Sequence, residues 1–131
     1  MGTTSAERGS CPCGTGQAYA VCCGPLHDGE RLATTAEELM RSRYSAFVVG
    51  DEAYLYRTWH PRTRPDDVDL DDTRWLDLRV LDVRAGGATD AEGTVAFAAR
   101  WVQGGQRGTL RETSHFVRRA GRWFYLDGVV A

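Results

Sequence analysis

The chain has 131 residues, 42% of them hydrophobic, with four tryptophans and a formal net charge of −2. That is apolar mass for one ordinary domain plus a small appendage, and it excludes wholesale disorder. The first ten residues hold no apolar leader run, and no later stretch approaches the ~20 apolar residues of a membrane span, so the chain is expected in the cytoplasm and not in a membrane. All sixteen basic residues are arginine, and the absence of Lys, Ile and Asn reads as G+C-rich coding rather than guanidinium chemistry. Residues 28–93 carry fifteen acids against nine arginines, a net of −6, and residues 94–131 carry six arginines against two acids, a net of +4. Without Lys/Arg runs, the basic third reads as a solvated sheet face and nucleic acid is disfavoured as a partner.

The most informative segment comes first. All four cysteines fall between residues 11 and 23: Cys11-Pro12-Cys13-Gly14-Thr15-Gly16, then Cys22-Cys23-Gly24-Pro25. Soft thiolates select zinc or iron over oxygen-loving cations, and four of them close the shell, which makes the site structural rather than catalytic. Bonds of about 2.3 Å in a tetrahedron put the sulfurs about 3.8 Å apart. Gly14 and Gly16 free the turn to take positive φ. Adjacent Cys22 and Cys23 can share one ion only if the chain bends there, with Gly24-Pro25 expected as a stop just after the bend. A disulfide pairing competes, but such bridges are rare in the reducing cytosol; a redox pair also competes, but the C-x-x-C spacing is absent. Residues 1–28 hold too few large apolar side chains for a core, so the metal would supply most of the module's folding energy.

The remaining residues, 29–131, read as one α+β domain. Thr35-Ala36-Glu37-Glu38 has capping-box spacing, and Met40, Tyr44, Phe47 and Val48 follow on one helical face, with Arg41, Arg43 and Ser45 elsewhere. Gly50 ends this helix, Asp51 caps a second carrying Tyr54, Leu55 and Trp59, and Pro61 forces His60 out of it. Residues 61–72 read as a loop. Four strands follow, over 75–84, 94–102, 109–119 and 123–130, separated by Gly86-Gly87, Gly104-Gly105 and Gly121. In the first strand the apolar phase shifts from Leu76-Leu78-Val80 to Leu81-Val83, which predicts a bulge. Helices before an antiparallel meander predict a curved four-stranded sheet wrapped on the long helix, a cone with an open mouth.

Four stretches carry a family resemblance. Cys11 through Gly24 resembles the SEC-C motif, a metal-binding tail of the preprotein translocase motor, with Cys23 where either Cys or His serves as last ligand. Leu39-Met40-Arg41-Ser42-Arg43-Tyr44-Ser45-Ala46-Phe47, Thr58-Trp59-His60-Pro61 and Gly121-Arg122-Trp123-Phe124-Tyr125-Leu126-Asp127-Gly128 resemble the YchJ family. The resemblance implies a nuclear transport factor two-like (cystatin-like) cone enclosing a cavity, a cytoplasmic location, and bound zinc, with iron as another occupant of such thiolate sites. SEC-C tails elsewhere serve protein export and translation, which implies a partner from that machinery. Some members repeat the cysteine motif C-terminally; this chain has one copy, so nothing that needs two is carried over.

Function therefore divides two ways. One reading is a metal-binding adaptor using Cys11, Cys13, Cys22 and Cys23. The other is a small-molecule binder or acid/base enzyme working from the cone, with Tyr44, Trp59, His60, Trp101, Glu112, Ser114 and Phe116 lining it and His60 and Glu112 exchanging protons. Strand alternation puts Glu112, Ser114 and Phe116 on one face and His115 on the other. Against the enzyme, His60 is expected to fix the turn before Pro61 and Glu112 to pair with Arg43 or Arg100, and the aromatic residues suit plain core packing. The adaptor is the favoured reading.

Overall fold

Thr35 starts the long helix α2 (Ala36–Val49): its Oγ1 accepts the Glu38 N–H at 3.1 Å. The reciprocal half of the capping box is not made. The Glu38 carboxylate instead accepts the Thr34 N–H at 2.8 Å and pairs with Arg31 Nη1 at 2.7 Å. Gly50 ends the helix in the left-handed region, φ 82°, donating its N–H to Ala46 O, a conformation glycine adopts without penalty. The computed structural model describes residues 10–131. A short helix α1 (Cys23–His27) precedes α2, and α3 (Glu52–Arg57) follows it, opened by Asp51 Oδ1 accepting the Tyr54 N–H at 3.0 Å.

Helix α3 stops before Trp59, which the sequence pattern placed on it. Thr58 and His60 instead pair with the last strand, Tyr125 N–H to Thr58 O and His60 N–H to Tyr125 O, both 2.8 Å, so Trp59 sits in a parallel bridge. Pro61 bars His60 from helical geometry, and the freed backbone groups find partners on that strand.

The strands β1 (Arg74–Ala85), β2 (Glu92–Gln103), β3 (Gln106–Arg119) and β4 (Arg122–Val130) form one antiparallel sheet in sequential order. The β1–β2 register slips between Val80 and Asp82, where the apolar phase changes, and again between Trp75 and Asp77. The first slip lets Trp75 and Leu78, three residues apart, share the inward face with Val80, while Leu76 and Leu81, the extra residues at the two slips, are exposed. A third slip, between His115 and Phe116, leaves Leu126 as the extra residue of β4. These bulges curve the open sheet around α2, as expected for an NTF2-like cone.

The core lies between the concave face and α2, where Leu39, Met40 and Tyr44 meet Val95, Phe97, Ala99, Phe116 and Trp123. The apolar stripe predicted for α2 is only partly buried: Phe47 and Val48 emerge at 37% and 40% exposure, while Arg43 and Ser45 are buried. The reason is that α2 is covered from two sides, by the sheet on one and the cysteine segment on the other.

That segment is docked. Leu26 belongs to the main core, at 3% exposure. Arg41 Nη1 donates to Cys13 O at 2.7 Å, Arg57 Nη2 donates to His27 O at 2.6 Å, and His27 Nε2 bonds Ser42 O at 2.9 Å. Since a carbonyl only accepts, Nε2 carries the proton, and His27 Nδ1 accepts the Tyr19 hydroxyl at 2.7 Å. Among the described residues no helix is long and apolar enough to cross a membrane.

Candidate metal centre

The cysteine loop is closed by Cys11 N–H to Gln17 O at 2.8 Å and Gly14 N–H to Cys11 O at 3.3 Å. Gly14 and Gly16 hold φ of 88° and 84°, the region a side chain would strain. After a 3₁₀ turn (Tyr19–Val21), Cys22 takes φ −110°, ψ −98°, a sharp bend that turns its neighbour Cys23 into the first residue of α1. This bend lets consecutive side chains converge. Gly24 and Pro25 do not stop the chain as expected; they form the first turn of α1, where a proline's missing N–H costs nothing. Gly24 is also a close approach, since a Cβ there would lie 2.8 Å from Tyr19 O.

The four sulfurs lie within 4.8 Å of one another, and the Cys13–Cys22 pair is 3.5 Å apart. All four residues are buried, and none forms a disulfide. The spacing brackets the about 3.8 Å of a tetrahedral four-sulfur shell, so the donor set fits one soft divalent ion. Hydroxyls surround the cluster: Thr15 Oγ1 is 3.2 Å from Cys22 Sγ, and Ser45 Oγ is 3.8 Å from Cys11 Sγ. Such outer partners orient ligand sulfurs and tune their basicity.

The thiols share their protons unequally. A hydrogen bond from Cys23, helped by the Thr15 N–H, pulls the Cys13 thiol down to about 4 against the cost of burial. Burial pushes Cys22 up to about 11, and the hydrogen bond with Cys13, with burial second, drives Cys23 far above the ordinary thiol range. One thiolate thus suppresses ionisation of its neighbours, a repulsion that a divalent cation relieves.

The second concave feature is a half-open cavity of about 260 Å³ between α2 and the sheet. Tyr44, Trp59, Glu112, Ser114 and Phe116 line it, joined by Arg43 and Tyr125. Two other residues expected there are elsewhere. Trp101 lies over Gly108, whose missing Cβ makes room for the indole ring. His60 is buried against Phe124, beside a shallow surface formed with Pro61, Val117 and Arg119. Its Nδ1 accepts the Arg62 N–H at 3.0 Å, and burial holds its pKa below the ordinary value. Glu112 is not paired with an arginine: its Oε2 accepts the Ser114 hydroxyl at 2.8 Å and the Tyr125 hydroxyl at 3.2 Å. Arg100 pairs with Asp77 at the exposed surface instead.

Arg43 is the residue that sequence reasoning undervalued. It donates through Nη1 to Leu55 O at 2.9 Å and Thr58 Oγ1 at 2.7 Å, and it lies over the rings of Trp59 and Tyr125. Burial pushes its guanidinium down to about 10, which leaves it charged at neutral pH. The helical spacing of Met40, Arg43 and Phe47 was the available signal, since it puts the arginine in the same row as two apolar residues.

Residues 10–25 match the SEC-C motif, and residues 35–128 match the family described as YchJ, middle NTF2-like domain. Fold and site together thus define a class, a SEC-C cysteine knuckle joined to an NTF2-like cone. The chain is 52% identical over 119 residues to a UPF0225 protein of Streptomyces coelicolor, covering 90% of this chain and 93% of that one. It is 46% identical over 136 residues to a UPF0225 protein of Chromobacterium violaceum, covering 100% of both. The solution structure of a SEC-C motif containing protein from Rhodopseudomonas palustris superposes with a TM-score of 0.82 at 38% identity, covering 93% of this chain and 98% of that one. The crystal structure of a SEC-C motif containing protein from Psychrobacter arcticus gives 0.75 at 30% identity, over 93% and 82%. The chain belongs to the YchJ (UPF0225) family.

Proposed function

We propose that this protein is a zinc-binding adaptor of the cytoplasm, in which Cys11, Cys13, Cys22 and Cys23 hold one structural ion and the knuckle so shaped presents a surface to a protein partner. The observation that carries the reading is the convergence of four buried, unbridged sulfurs on one point. A four-thiolate shell has no position left for substrate, so the ion's contribution is folding energy and surface shape. Zinc suits this set best, because it is tetrahedral and redox-inert; iron is the competing occupant. The exposed side of the knuckle carries Val21, 66% exposed, as an apolar contact point. SEC-C tails in the export and translation machinery make a protein of that kind the partner class.

The cone would act as the rigid base of the knuckle. Acid/base catalysis by His60 and Glu112 is not part of the proposal, because the two side chains serve different surfaces. The test compares wild type with Cys22→Ser in metal content and in capture of ribosomes or translocase components. Loss of both in the variant, with the sheet's circular dichroism unchanged, supports the reading. A variant that keeps one equivalent of metal, or a partner retained after metal loss, overturns it.

A further inference from the structure

The cavity under the concave sheet has a composition that core packing alone does not require. Most of its wall is aromatic or aliphatic, yet Arg43, 6% exposed, contributes a guanidinium to it. Among the described residues no carboxylate lies within 4 Å of that guanidinium: the ion pairs formed are Arg31–Glu38, Arg41–Glu37, Arg84–Asp82, Arg100–Asp77 and the two of His115. Glu112, in the same cavity, favours the guanidinium's charge only from beyond ion-pair distance, and it is committed to the hydroxyls of Ser114 and Tyr125 through one oxygen. A buried charge without an ion-pair partner is costly and is normally paired. The wall holds a second orphan, since Trp59 Nε1 is fully buried with no hydrogen-bond partner among the described residues.

We propose that this cavity is a binding site for a small organic carboxylate with a single-ring or similarly compact apolar body. Arg43 is the counter-ion for the carboxylate, and Phe97, Phe116 and Trp75 enclose the body. The free oxygen of Glu112 accepts from a hydroxyl on the ligand. At about 260 Å³ the space falls below the ~300–1,000 Å³ of sites for drug-sized ligands, which sets the size limit. The arginine is already pinned by Leu55 O, Thr58 Oγ1 and two ring faces. Little side-chain entropy is therefore left to lose on binding. This site is separate from the sulfur cluster and does not depend on which metal that cluster holds.

The test titrates the metal-loaded full chain with benzoate, 4-hydroxybenzoate, benzamide and inorganic phosphate, read by two-dimensional NMR with the Trp59 indole N–H as reporter. Benzoate is expected to bind at least tenfold more tightly than benzamide, 4-hydroxybenzoate more tightly still, and phosphate not to shift the indole signal. Arg43→Gln should erase the benzoate preference. Because that substitution also removes hydrogen bonds to α3, Leu110→Trp provides a second arm by filling the cavity from its wall without touching Arg43, and it should abolish binding of all three ring compounds. Equal affinity for benzoate and benzamide, phosphate binding as tight as benzoate, or benzoate binding undiminished in Leu110→Trp would each overturn the proposal.

Discussion

Replacing His27 by Ala asks whether the metal module and the cone are one energetic unit. His27 is 7% exposed and wedged between the rings of Tyr19 and Tyr54, at centroid distances of 5.6 and 4.7 Å. Its Nδ1 takes the Tyr19 hydroxyl from the knuckle, and its Nε2–H reaches Ser42 O on α2. Losing two hydrogen bonds costs about 2 kcal/mol. Tyr19 is only partly buried, so water can replace His27 as partner of its hydroxyl and no further desolvation cost is added. The vacated ring space adds roughly 1 kcal/mol, for a total of about 3 kcal/mol. The substitution is therefore measured twice by urea denaturation, once metal-loaded and once after chelation. If the ion gives the knuckle its shape, the stripped knuckle is already loosened and His27 has less to lose. The expected destabilisation is about 3 kcal/mol loaded and under about 1 kcal/mol stripped, a coupling of the size found for interacting residues. Equal losses in the two states would refute the idea that metal and docking are linked.

Metal affinity should rise steeply with pH. Cys22, pushed up to about 11, and Cys23, pushed higher, both carry protons near neutrality. Binding must release at least these two protons, so the dissociation constant should fall roughly 100-fold per pH unit between pH 6 and 8; a chromophoric chelator competition measures this, and a flat profile contradicts the ligand set. Gly24→Ala puts a Cβ 2.8 Å from Tyr19 O and should cost about 1–3 kcal/mol by overpacking; an unchanged denaturation midpoint would show the turn is looser than drawn. His60 has a pKa below its ordinary 6.5 because burial disfavours its charged form. The folded state then binds fewer protons than the unfolded one, so this contribution is full above pH 6.5 and is lost as the pH falls through the folded value. Denaturation midpoints of wild type should drop more between pH 7.5 and 5 than those of His60→Gln, and parallel declines would contradict it.

The sequence was most legible where one residue type has one physical use. The four thiols, the positive-φ glycines between them, the Thr35 and Asp51 caps and the phase slip at Val80–Leu81 each announced a local geometry that the chain adopts. Legibility failed where a second layer decides burial. Helical periodicity alone could not place Ser45 inside, because the knuckle covers a face of α2 that a lone amphipathic helix would give to water. Trp59 lies off α3 and His60 outside the cavity for a related reason: both are placed by pairing with Tyr125, far along the chain. Trp101 followed correct alternation but sits near the open end of the sheet, over Gly108, beyond the reach of the cavity.

The most direct measurement is metal analysis of the purified, metal-replete protein combined with X-ray absorption at the metal edge. One ion per chain in a shell of four sulfurs at about 2.3 Å, lost in Cys22→Ser, is the expected result. A chain without stoichiometric metal, or an ion bound through oxygen or nitrogen while the thiols stay free, would contradict the account.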